Sequence, residues 1–112
     1  MNFQERPPKG NRKERISYKF YSKSFRKAPV TAITEEASGK GTLAVQKHLH
    51  WLLENPREAK KYLKKPGFIF FIGDTNEDGT VGYLVKRKGE ITSGTVPVFS
   101  ELGPFDQVLF VR

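Results

Sequence analysis

Apolar and polar positions change their spacing several times along the chain, and each change marks an element. In residues 16–22 they alternate: Ile16, Tyr18 and Phe20 fall on one face, Ser17, Lys19 and Tyr21 on the other, which predicts a strand. After Pro29, the β-branched run Val30-Thr31-Ala32-Ile33-Thr34 predicts a second strand. Ser38-Gly39-Lys40-Gly41 is a break. From Thr42, a candidate cap, Val45, Leu49, Leu52 and Leu53 recur at helical spacing to about Glu54. Asn55-Pro56-Arg57-Glu58 then reads as a new helix start. Asn55 takes the N-cap, Pro56 the first helical position and Glu58 the capping-box position. That helix buries Ala59, Tyr62 and Leu63, shows Lys60, Lys61, Lys64 and Lys65 to solvent, and stops at Pro66-Gly67.

The rest is β-rich. Gly67–Gly73 is apolar throughout, as in a strand buried on both faces. Thr80–Arg87 follows the loop 74–79, turns at Lys88-Gly89 and returns as Glu90–Phe99. Gly94 and Pro97 predict a bulge and an edge position for that return strand. Gly103-Pro104 turns the chain once more into Gln107–Val111. These elements predict an α+β fold: a twisted, mostly antiparallel sheet or partial barrel with two consecutive helices packed on one side. Residues 1–15, rich in charge and proline, read as a disordered basic arm ahead of one domain over 16–112.

Composition narrows what such a domain does. The chain has 112 residues and no cysteine, which removes disulfide scaffolds, thiol chemistry and Cys-based metal sites. The longest apolar run, 68–72, is far too short to span a membrane, and no apolar stretch follows the N-terminal charges as in a secretory signal. An intracellular basic protein is the expectation. The net charge of +8 is unevenly spread. Residues 1–30 hold nine Lys or Arg and two acids, whereas residues 67–112 hold four and six. Such a footprint suits phosphate backbones.

Two segments join that charge to rings or to a turn. Tyr18 to Lys27 interleaves Tyr18, Tyr21 and Phe25 with Lys19, Lys23, Arg26 and Lys27, with Phe20 read as core. Single-stranded nucleic acid is gripped by this combination of cations and stacking rings. Lys86, Arg87 and Lys88 put three cations at a hairpin tip, able to clamp a backbone. Arg12, Lys13 and Arg15 of the arm complete the candidate set.

Other motifs fall short. Asp74-Thr75-Asn76-Glu77-Asp78-Gly79 opens like a calcium loop, yet Val85 stands where a bidentate Glu is needed. His48 and His50 point to different faces of a helix and cannot chelate together. Gly39-Lys40 lacks both the first glycine and the hydroxyl residue of a phosphate loop. No cofactor or metal is expected. The expectation is a small, non-enzymatic nucleic-acid-binding protein, with RNA or single-stranded DNA ahead of duplex. The alternatives are an interaction module, a small inhibitor or assembly factor whose basic arm docks on an acidic protein, with strand addition at the Pro97 edge as one route, and a metal-independent ribonuclease-like toxin using a histidine.

Overall fold

The structure is a computed structural model that describes residues 17–64 and 66–112. The arm over 1–15 and Ile16 lie outside the described residues. The fold is α+β, with three helices and a mixed six-stranded sheet.

The sheet is ordered β1-β8-β4-β5-β6. These are β1 (Phe20–Ser24), β8 (Gln107–Val111), β4 (Ile69–Phe71), β5 (Thr80–Arg87) and β6 (Glu90–Pro97). Neighbours are antiparallel except β4 and β8, which run parallel. A short β3 (Thr42–Leu43) pairs with the far end of β8. β4 is central and wholly buried, which is why its sequence shows no alternation. The edges are β1 and β6.

The helix α2 (Gln46–Glu54) and the helix α3 (Pro56–Tyr62) cover one face. Leu49, Leu52 and Ala59 meet Phe20, Phe71, Leu84 and Leu109 there. Gly82 lets α2 lie close, since a Cβ at that position would stand 2.7 Å from Leu49 Cδ1. The other face packs Phe70, Ile72, Val81, Val108 and Phe110 under the helix α1 (Val30–Ser38) and a small two-stranded sheet. That sheet pairs β2 (Ala28–Pro29) with β7 (Glu101–Leu102).

Several expectations are corrected. Val30–Thr34 is the start of α1 rather than a strand: Val30, Ile33 and Ala37 are all buried, at helical spacing, with Pro29 at the N-cap. The Thr34 hydroxyl donates to the Val30 carbonyl (2.8 Å), so a β-branched residue is accommodated within the helix. α1 therefore adds a third helix on the face opposite α2 and α3. Thr42 caps no helix, because Thr42 and Leu43 are drawn into the ladder with β8, and α2 begins only after Val45. Asn55 precedes Pro56 at the N-cap as expected, yet its side chain makes no cap bond, nor does a capping box with Glu58 form. Its Nδ2 instead donates to the Trp51 carbonyl (2.8 Å), closing the end of α2.

The return strand β6 is an edge, as expected, but has no bulge. Its register with β5 runs unbroken from Arg87↔Glu90 to Thr80↔Pro97. The space beside Gly94 is taken by the Tyr83 hydroxyl, so the glycine serves a close approach rather than a kink. Lys88 (φ 52°) and Gly89 (φ 81°) form a tight turn with positive φ at both positions, matching the twist of the hairpin.

Candidate nucleic-acid interface

Strand register decides where the candidate cations meet. Lys23 pairs with Val108, Val108 with Phe70, Phe70 with Tyr83 and Tyr83 with Gly94, one row across the whole sheet. From that row β1, running toward Ser24, and β5, running toward Arg87, end on the same side. Lys23 and the Lys86–Lys88 tip therefore share one end of the sheet. Three strand spacings separate β1 from β5, about 14 Å of backbone. The loop 74–78, with Asp74, Glu77 and Asp78, follows β4 at the opposite end.

The helix α3 fills the interval with charge. Lys60 lines a cleft with Gly89 and Glu90 beside the tip, and Lys64 lines another with Ser22 and Gln107. Lys86 has the same parity along β5 as the core residue Leu84, so it projects on this helical face. Arg87 projects on the other face, where its guanidinium lies 5.8 Å from the centre of the Phe68 ring. Among the described residues, Lys23, Lys86, Arg87 and Lys88 form no ion pair and are exposed.

The remaining candidates sort differently. Arg26 pairs with Glu36 (3.4 Å) and Lys27 with Glu101 (3.9 Å), which ties the β1–α1 connection to its own surroundings. Lys19 stands at the far end of β1, where its carbonyl accepts the Arg112 N–H (2.8 Å). Arg12, Lys13 and Arg15 lie outside the described residues.

The rings of the basic strand are mostly committed to the fold. Tyr18 meets His48 and Trp51 edge-on, with ring centres 4.7 and 5.3 Å away. Tyr21 stacks on Phe110 at 5.0 Å and carries the Arg112 guanidinium 4.8 Å from its own centre. Phe25 lies 6.4 Å from the same Phe110. All three are half-buried rather than presented as stacking surfaces.

A ring that sequence patterning missed is Phe105, 68% exposed in the turn before β8. The Asp106 carboxylate braces that turn, accepting the Gly103 N–H (2.7 Å) and the Phe68 N–H (3.1 Å). The turn presses on Gly67, where a Cβ would stand 2.1 Å from the Phe105 carbonyl oxygen. Phe105 thus stands at the cationic end of the sheet. Only Gly103-Pro104, a turn signal beside an apolar residue, marked it in the sequence.

The polar motifs are spent on local structure. Asp74 accepts the Gln46 N–H (3.1 Å), and Asp78 accepts both the N–H and the hydroxyl of Thr80. Asn76 bonds Gln46 and Thr80. His48 and His50 do diverge; His48 is buried, and its Nδ1 accepts the Val45 N–H (2.9 Å). Burial lowers the His48 pKa below 6.5, Lys47 lowers it further, and Asp74 opposes both. Among the described residues, no helix is long and apolar enough to cross a membrane.

The chain matches no family model, and no curated protein or solved structure gives a significant match. The geometry of the cationic end is therefore the ground for any functional reading.

Proposed function

We propose that the chain is a small, non-enzymatic nucleic-acid-binding protein, with RNA or single-stranded DNA preferred over duplex. The observation that carries this reading is the convergence of unpaired cations on one end of the sheet. Lys23 of β1, Lys60 and Lys64 of α3, and the Lys86–Lys88 tip come from distant parts of the chain and lie at the same end of the sheet, Lys60, Lys64 and Lys86 on its helical face and Lys23 and Arg87 on the other. The cations at this end outnumber the acids Glu90 and Asp106 beside them, so they repel one another on balance, and a polyanion relieves that repulsion. The braced Phe105 supplies an exposed ring where a base could stack, a contribution of ~1–3 kcal/mol. The N-terminal basic residues, Arg12, Lys13 and Arg15 among them, would add phosphate contacts, as would Lys19.

An electrophoretic shift against RNA, single-stranded DNA and duplex DNA at low and moderate salt tests the reading. Binding should be strongest for a single strand and should weaken steeply as salt rises, through counterion release. Charge reversal at Lys86, Arg87 and Lys88 should remove most of it. No shift with any nucleic acid at low salt overturns the proposal. It would leave the second reading, an acidic protein partner docked on the same end, which favours a compact interface with a few dominant side chains.

A further inference from the structure

We propose that the free edge of β6 pairs with β6 of a second copy, joining two sheets into one across a two-fold axis at Ser93. The proposal does not rest on nucleic-acid binding. It starts from the hairpin. With a two-residue turn at Lys88-Gly89, Arg87 and Glu90 form a hydrogen-bonded pair, so the even-numbered residues of β6 turn their backbone groups toward β5. Beyond the strand, the Val98 N–H donates to the Gly79 carbonyl (3.1 Å), which keeps the same parity. Ile91, Ser93 and Thr95 consequently aim their N–H and C=O groups away from the sheet. This is an open row of donors and acceptors, the usual template for strand addition.

The usual protections of such an edge are weak here. The register has no bulge to twist the strand away, and no Lys or Arg occurs between Gly89 and Val111. Pro97 removes a donor only at the end of the strand. In a chain of net charge +8, residues 91–97 carry no charge, and a second copy can approach them without bringing cations together.

The strand is also self-complementary. In antiparallel register about Ser93, Ile91 faces Thr95 of the other copy and Ser93 faces its own counterpart, so every outward group of the three finds a partner. Pro97 then falls opposite the partner turn at Gly89, where a donor is least needed. There the chain leaves the strand in a turn, in which the Ser100 N–H donates to the Pro97 carbonyl (2.9 Å).

Sedimentation velocity on the full chain, free of nucleic acid, should show a dimer forming across the micromolar range. Ser93→Lys should abolish it, because the two new cations would stand directly opposite each other. Ser93→Cys introduces the sole thiol of the protein. In a hydrogen-bonded pair its Cα would lie about 5.5 Å from its counterpart, within disulfide reach. Mild oxidation should therefore convert Ser93→Cys to a covalent dimer and leave the β1 control Ser24→Cys monomeric. A chain that stays monomeric, leaving the edge to an extended segment of another protein, overturns the proposal. So does a Ser93→Cys thiol that stays reduced, or assembly that grows past the dimer.

Discussion

The imidazole of His48 stands in the first turn of α2, where its Nδ1 holds the Val45 N–H and its ring meets Tyr18 and Phe20 edge-on. The bond to Nδ1 leaves the proton of the neutral ring on Nε2. Since burial lowers the folded pKa, the unfolded chain takes up a proton first as pH falls. His48 therefore contributes full stability above pH 6.5, and that contribution is lost as pH falls through the lowered folded value. Thermal melts should show the midpoint dropping over this window. His48→Gln should flatten the drop, because Gln at this position can make the same back-bond without titrating. An unchanged pH profile in the variant would contradict the role. Asn55→Ala should cost about 1 kcal/mol, through the lost bond to Trp51 O rather than through a cap on α3. An unaltered denaturation midpoint would show that bond to be immaterial. The sequence located both residues correctly on or beside helices. It misassigned the Asn55 side chain because Asn can bond forward or backward along the chain, and spacing does not choose.

Among the elements, those with strong punctuation were legible. Pro56 opens α3, Lys88-Gly89 turns the β5–β6 hairpin, and the unbroken apolar run 68–72 contains the central strand. Val30–Thr34 was not. A short β-branched run carries the local propensity of a strand, and only the longer interval from Val30 through Ile33 to Ala37 carries the helical face. Tertiary contact decides: Ile33 is fully buried against the sheet, and the N–H groups of Val30 and Thr31 reach the carbonyls of Ser100 and Val98. Ile33→Ala should accordingly cost about 2–5 kcal/mol, as for a core cavity. A loss below 1 kcal/mol in chemical denaturation would mean that α1 is only loosely held. Gly67→Ala tests the brace beneath Phe105. At φ 109°, with the Phe105 carbonyl against it, any side chain must displace the turn, and the cost should be at least about 1–3 kcal/mol. A melting midpoint equal to wild type would show that the turn at Phe105 is not pressed against this position.

For the whole molecule, composition and charge placement were readable from the chain, but their meeting place was not. Lys23 and Lys88 are far apart in sequence, and only the parallel insertion of β8 beside β4 sets β1 and the β5–β6 tip at the same end. Patterning likewise nominated Tyr18, Tyr21 and Phe25, whose alternation could not distinguish a ring over the core from a ring over solvent. The central claim is that the unpaired cations of this end act together on one polyanion. The salt dependence of binding to a single-stranded oligonucleotide tests it most directly. Lys23→Ala, Lys86→Ala and Lys88→Ala combined should weaken binding and reduce the slope of log K against log salt by roughly one unit per lost phosphate contact. Arg26→Ala with Lys27→Ala, which removes cations already paired to Glu36 and Glu101, should change the slope little. A triple variant with the wild-type slope, or a paired-cation variant that loses as much, would contradict the account.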